Sequence, residues 1–187
     1  MPGTIATHHL RDRSRLTTRV ELIRERAATA KTAVHRHDFH ELLFIATGSG
    51  THMLDMVQHE VKSPSLHLIS PRQVHQLLRS ADMTGDVVMF APDALLGQGH
   101  GARSELFARL EGPAAISLTN EQLHEARALI GLMESELAKQ EPMAEVVEGY
   151  LGILLIKCLA WSRDAIDTDA APGSPSANRS PTTPPRR

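Results

Sequence analysis

The chain has 187 residues, a formal net charge of −2 and 41% hydrophobic residues, which suits one globular domain with a sizeable core and an appendage. The slight negative charge argues against a nucleic-acid-binding face, and an aromatic content of 3% excludes a base-stacking platform. Cys158 is the only cysteine, so a disulfide framework and a thiolate zinc site are excluded. No apolar run reaches signal-peptide or transmembrane character, and we expect a cytoplasmic protein without a membrane partner.

Residues 1–33 are polar and rich in arginine, and we interpret them as an N-terminal arm that is partly disordered. Residues 18–25 of this arm fit either an edge strand or the start of a helix, because their periodicity does not decide between the two.

Short runs of β-forming residues, separated by turn residues, fill the next part of the chain. They cover residues 42–47, 51–56, 57–62, 66–69, 74–78 and 86–90. Short strands at this spacing indicate a sandwich or a closed barrel rather than a βαβ fold. We therefore predict a barrel over residues 34–92. An irregular connection over residues 93–117 follows, because four glycines interrupt it, with room for one helical turn at residues 104–110.

The hydrophobic period changes to that of a helix at Leu118. Thr119 and Gln122 form a capping box, apolar residues then recur at helical spacing, and Pro142 separates this helix from a second one at about 143–161. The short loop predicts an antiparallel helical hairpin over residues 118–163. Residues 164–187 consist largely of Ala, Pro, Ser, Thr and Arg and are interpreted as a disordered tail.

The second helix has a wider apolar arc than a helix packed only on a barrel needs. A second copy of the chain is the partner we favour, which predicts a homodimer through the C-terminal helices with Leu151 and Leu155 at the interface. The alternative is a longer contact with the barrel.

Histidine carries the chemical signal, because seven of the 11 histidines lie between residues 35 and 75. Alternation along a strand places His35, His37 and Glu41 on one face. Two imidazoles and a carboxylate suit a divalent first-row metal such as Zn, Fe, Mn or Ni, and His75 can supply a fourth ligand from another strand. The same four residues form our candidate effector site. The alternative is a metal-free, hydrogen-bonded polar cluster. We expect the other histidines, including His52 and His67, at the surface or behind the ligands, and we assign no catalytic residue.

The spacing of His35, His37, Glu41 and Gly48 resembles the first signature of the cupin superfamily. The segment from Ser70 to His75 resembles the second signature, except that Arg72 stands where that family usually has glycine. This resemblance implies a mainly β fold, a double-stranded β-helix or jelly-roll barrel.

A narrower resemblance joins residues 35–42, 48–52, 66–71 and 73–77 to the N-terminal sensor domain of AraC-type transcription regulators, over about residues 20–161. It implies a small-molecule effector bound inside a cupin-like barrel, dimerisation through the helical pair and no enzymatic activity. The sequence contains no helix-turn-helix pattern, so we expect no specific DNA binding by this chain alone. The competing hypothesis is a free-standing, metal-dependent cupin enzyme, an oxygenase or isomerase using His35, His37, Glu41 and His75.

Overall fold

A computed structural model describes residues 5–10, 18–23, 30–94, 100–109 and 115–169. The strands in these ranges are β1 (Ala6–His8), β2 (Thr18–Ile23), β3 (Ala30–Lys31), β4 (His35–His37), β5 (His40–Thr47), β6 (Ser49–Leu54), β7 (Val57–Lys62), β8 (Ser65–Ile69), β9 (His75–Arg79), β10 (Thr84–Phe90) and β11 (Ala115–Ser117). The helices are α1 (His100–Arg109), α2 (Asn120–Leu137) and α3 (Ala144–Asp169).

The strands form two sheets, and the predicted jelly-roll barrel followed by a helical hairpin is confirmed. One sheet has the order β1-β4-β9-β6-β7, with β3 also paired to β9, and the other has the order β11-β8-β5-β10-β2. Neighbouring strands are antiparallel except for β1 and β4, which are parallel. Gly48 turns the chain from β5 to β6 at φ +84°, and a Cβ there would lie 2.5 Å from the Met83 Cα. Only glycine suits this position.

The two faces of β5 serve two separate cores. Its even-numbered residues Leu42 and Phe44 pack with the helices, whereas Leu43 and Ile45 face the barrel interior. The interior cluster contains Leu43, Ile45, Leu54, Val61, Ile69, Leu77 and Met83. The period of two along a strand thus builds a barrel core and a barrel–helix core from the same residues in alternation.

The helical hairpin is anchored at its start and at its turn. The Thr119 hydroxyl accepts from the Gln122 amide, and the Gln122 side chain accepts from the Thr119 amide, so the predicted capping box is present. At the turn, the buried Glu136 carboxylate accepts from Lys139 Nζ and from the Met143 amide. These bonds pair backbone and side-chain groups that the helix ends would otherwise leave without partners.

The width of the apolar arc on α3 has its explanation inside the chain. Leu151 and Leu155 are fully buried in the core between the helices and the barrel. The expectation that these two residues form a dimer interface is therefore wrong, and the longer contact with the barrel accounts for them.

Three predicted boundaries also need correction. The arm contributes three strands: β1 pairs with β4, β2 pairs with β10 and β3 pairs with β9. The connection at 93–117 contains α1 and β11: Leu106 of α1 is buried in the barrel–helix core, and β11 pairs with β8. Helix α3 continues to Asp169, since extending a formed helix costs little. The rest of the predicted tail lies outside the described residues, as do residues 1–4, 11–17 and 24–29 of the predicted arm and residues 95–99 and 110–114 of the predicted connection.

None of the helices in the described part of the chain is both long and apolar enough to cross a membrane.

Candidate functional site

Three elements meet at one end of the barrel and carry the predicted site residues. His35 of β4 pairs with His75, the first residue of β9. β5 begins at His40, three residues after His37, and places Glu41 near its start. The Arg72 amide donates to the His37 carbonyl at 2.7 Å, so the turn before β9 is fastened to β4.

His37, Glu41 and His75 converge. Each offers one ligand atom, and these atoms all lie within 4.8 Å of one another. His37 Nε2 is 3.5 Å from a Glu41 carboxylate oxygen, and the rings of His37 and His75 meet edge to face with their centroids 4.9 Å apart. Both imidazoles are buried, whereas the Glu41 side chain keeps 14% of its surface exposed. The group therefore has a contact with solvent through Glu41.

His35 lies beside this group and is not part of it. Its ring packs on the His75 ring at 4.2 Å between centroids, but is 6.3 Å from the His37 ring. Its Nδ1 donates to the Ala33 carbonyl at 2.8 Å. Alternation correctly placed His35 and His37 on one face, but two residues of strand separation carry His35 past the point where the other three meet.

The hydrogen bonds of His37 determine its tautomer. Nδ1 donates to the Phe39 carbonyl at 2.7 Å, so the neutral ring presents a lone pair at Nε2. His37 Nε2 and His75 Nε2 are buried and have no hydrogen-bond partner among the described residues. An unsatisfied buried polar atom costs about 1–3 kcal/mol, so both nitrogens indicate a place where a bound group supplies the missing partner.

Burial keeps these imidazoles neutral. Desolvation, reinforced by the neighbouring His35, lowers the pKa of His37 to about 4, although the bond to the Phe39 carbonyl opposes it. Desolvation and the neighbouring His35, His37 and His52 lower the pKa of His75 to about 2. Neutral imidazoles are the form that binds metals and accepts hydrogen bonds.

The sequence reasoning missed two functional candidates, His52 and His67. Both are completely buried. Of the two positions expected for them, the surface is therefore wrong, and a place behind the ligands remains. His52 Nε2 is 3.4 Å from His75 Nδ1, and His52 Nδ1 is 3.3 Å from His67 Nδ1. Burial, the largest cause, lowers the pKa of His52 to about 3 and that of His67 to about 4. Alternation contained a signal for His52, which shares a strand face with the interior residue Leu54. His67 shares a face with the interior residue Ile69, but all five residues of β8 are buried, so alternation along β8 does not show which face is the interior one.

Two imidazole nitrogens and a carboxylate at this spacing fit a divalent first-row cation. They equally fit a small polar molecule whose hydroxyl or amino groups donate to them. The buried apolar residues of the barrel interior lower the local dielectric constant, which strengthens either interaction.

Comparison with known proteins places this geometry in a family. The chain is 27% identical over 128 residues to the HTH-type transcriptional activator RhaR of Shigella flexneri serotype 5b (strain 8401); the match covers 66% of this chain and 45% of RhaR. The chain thus spans less than half the length of the curated relative. Its fold is similar to that of apo ToxT K231A from Vibrio cholerae strain SCE256, with a TM-score of 0.50 and 11% identity over 86% of this chain and 59% of ToxT. Residues 18–147 match the family described as AraC-like ligand binding domain. The chain belongs to this family of AraC-like ligand-binding domains.

Proposed function

We propose that this chain is the effector-sensing part of an AraC-type transcription regulator, and that a small polar molecule binds to His37, Glu41 and His75. The observation that carries the proposal is the pair of buried imidazole nitrogens without partners beside a carboxylate that reaches solvent. Because a transcription regulator acts on DNA, we place the protein in the cytoplasm.

The donor and acceptor pattern indicates the chemistry of the effector. His37 Nε2 and the ionised Glu41 carboxylate are acceptors only. The molecule that complements them carries hydrogen-bond donors, such as the hydroxyl groups of a polyol or sugar, or an amino group. An effector of opposite pattern, with only acceptors, would leave the buried nitrogen of His37 unsatisfied.

A thermal-shift screen of neutral sugars, polyols and small amines tests this proposal. A ligand present at about 100 times its Kd stabilises the fold by about 2.7 kcal/mol, which corresponds to a Tm increase of roughly 5–10 °C for a domain of this size. The variant Glu41→Gln should lose most of the increase. Glu60→Gln is the matched control, because Glu60 is exposed on β7, where it forms a surface ion pair with Lys62. Equal shifts in both variants would move the effector site elsewhere.

A divalent metal is the second candidate ligand, held by His37, Glu41 and His75. The residues fit it because both imidazoles are neutral and each has a buried Nε2 atom without a hydrogen-bond partner among the described residues. A bound metal would supply Lewis acidity and fix the orientation of an effector. Elemental analysis of the purified protein and zinc titration by calorimetry test this, with Glu41→Gln expected to weaken binding. A zinc affinity that is the same in Glu41→Gln would remove Glu41 from the ligand set.

We do not favour the alternative of a metal-dependent cupin enzyme, because the matching family is a ligand-binding domain. Turnover of a substrate by the metal-loaded chain would reverse this preference.

We also propose a homodimer through α3, at a face other than the one first expected. The residues Gly149, Ile153, Ile156 and Ala160 are exposed and follow one another at intervals of four, three and four. This is the spacing of a coiled-coil seam, and Ile153 and Ile156 expose 47% and 56% of their surface. A second copy presents the same seam and is therefore self-complementary.

Sedimentation and light scattering test the dimer. The double variant Ile153→Glu, Ile156→Glu should be a folded monomer, because both side chains lie outside the core. Val57→Glu is the control, since Val57 is 58% exposed on β7, in the sheet away from the helices, and it should remain dimeric. A double variant that is still dimeric would place the interface elsewhere.

A further inference from the structure

A row of buried polar side chains leads from the site across the barrel to the opposite sheet. His75 and His52 belong to the sheet that contains β4, and His67 and Ser65 belong to β8 in the other sheet. The contacts are His75 Nδ1 to His52 Nε2 at 3.4 Å, His52 Nδ1 to His67 Nδ1 at 3.3 Å, and His67 Nε2 to Ser65 Oγ at 3.3 Å. All four side chains are buried.

The three rings constrain one another because each neutral imidazole has one N–H donor and one acceptor nitrogen. A row that is joined through both nitrogens of each ring is satisfied only when all its hydrogens point the same way. Pointing away from the site, His75 Nδ1–H donates to His52, His52 to His67, and His67 to the Ser65 hydroxyl. Pointing toward the site, the Ser65 hydroxyl donates to His67, His67 to His52, and His52 to His75 Nδ1.

The direction decides what His75 presents to the ligand. When the hydrogens point away, His75 Nε2 carries a lone pair. When they point toward the site, His75 Nε2 carries a hydrogen. No net charge moves between the two arrangements.

We propose that Ser65, His67 and His52 form a positioning relay that sets the tautomer of His75 and reverses when a cation binds. Without a cation, the lone pair of His37 Nε2 and the Glu41 carboxylate already face the site as acceptors, and a third acceptor beside them is unfavourable. His75 then presents Nε2–H and the relay points toward the site. A bound cation requires the His75 lone pair and turns the relay away from the site. Only the reversal rests on the proposed function, because it requires that His37, Glu41 and His75 bind a metal.

The end of the relay that is remote from the site, at Ser65, lies close to the start of the helical hairpin. Ser65 lies opposite Ser117 of β11, and the Leu118 amide donates to the Pro64 carbonyl at 3.0 Å, immediately before the Thr119 cap of α2. The relay therefore joins the site to the strand that leads into the helical hairpin.

Nitrogen-15 NMR of histidine-labelled full chain at pH 7.5 tests the relay directly, because it distinguishes the two neutral tautomers of each ring. Without metal, we expect hydrogens on His75 Nε2, His52 Nε2 and His67 Nδ1. With zinc chloride, we expect all three to move to the other nitrogen. Rings that point in mixed directions without metal would overturn the relay whether or not zinc binds. If zinc does not bind but the three rings still point in the expected single direction, the metal site and the reversal are refuted and the relay stands.

Variants at His67 separate a relay from simple packing, because His67 does not touch the ligand group. His67→Leu keeps the bulk but leaves the His52 Nδ1–H without an acceptor in the zinc-bound arrangement, so zinc affinity should fall about tenfold. His67→Gln provides an amide oxygen as acceptor and should restore most of the affinity. Equal zinc affinities in the parent and His67→Leu would contradict the reversal.

Discussion

Acidification should destabilise this domain strongly between pH 7.5 and 5.5. Burial lowers the pKa of four imidazoles, to about 4 for His37 and His67, about 3 for His52 and about 2 for His75. In the unfolded chain these rings titrate near 6.5. Because the folded pKa is below the unfolded one, the unfolded state takes up protons first as the pH falls. The stability is complete above pH 6.5 and is lost progressively below it, down to the folded pKa values.

The size of the effect follows from linkage. Between pH 7.5 and 5.5, protonation of one unfolded-state imidazole with a pKa near 6.5 lowers the free energy of unfolding by about 1.4 kcal/mol. Four such residues lower it by about 5 kcal/mol, which approaches the whole stability of a typical domain of about 5–15 kcal/mol. Carboxylates with ordinary pKa values contribute little in this range, because they titrate below it.

Urea denaturation at pH 7.5 and 5.5 measures the loss, with the fluorescence of Trp161, the only tryptophan and a buried one, as the signal. His67→Gln removes one titrating ring, so the loss should shrink by about 1.4 kcal/mol. His124→Gln is the control, since His124 is exposed on α2 and its removal should leave the loss unchanged. A parent loss below about 2 kcal/mol, or a His67→Gln loss equal to that of the parent, would refute the assignment of buried neutral imidazoles.

Three further outcomes are expected. Arg72 has φ 70°, a conformation that costs a non-glycine residue about 1–2 kcal/mol. Glycine avoids this cost but loses more conformational entropy on folding, so Arg72→Gly should raise the free energy of urea unfolding by about 0.5–1 kcal/mol. Arg72→Ala should give no gain. Leu154 is completely buried between helices and barrel, so Leu154→Ala should lower the same quantity by about 2–5 kcal/mol, and a loss below about 1 kcal/mol would argue against this core. In gel-shift assays at physiological salt, the chain alone should show no sequence-selective DNA binding, and a selective shift that survives this salt would contradict the expectation.

The strands from β5 to β10 and the α2–α3 hairpin were predictable because local signals agree with the fold there. Gly, Pro or Ser residues mark most of the turns between these strands, and the capping box at Thr119 is a local device. For β2 the sequence does not decide between an edge strand and the start of a helix, it predicts only one turn of α1, and it does not predict β11, because the formation of these elements depends on distant partners. β2 pairs with β10 across more than sixty residues of chain. The glycines at and just before the start of α1 argue against a helix, and the burial of Leu106 in the barrel–helix core supplies the stabilisation that local propensity lacks.

The candidate site was partly predictable for a related reason. Alternation gave the correct face for Glu41, whose neighbours Leu43 and Ile45 line the interior. It failed for His67 because all five residues of β8 are buried. In a strand with two buried faces, apolar neighbours on either side carry no information about which face is the polar one. His67 therefore looked like an isolated polar residue, and only the opposing sheet shows that His52 stands against it.

The two faces of the strands belong to separate cores, which explains how this barrel tolerates so many buried polar groups. Leu66 and Leu68 of β8 pack in the core shared with α3, while Ser65 and His67 face the interior histidines. The helix contact therefore does not depend on which residues occupy the interior face of the same strand. His52→Leu should accordingly abolish the relay but preserve the packing of Trp161, which its fluorescence spectrum would report; a spectrum shifted toward that of the unfolded chain would show that the two faces are not independent.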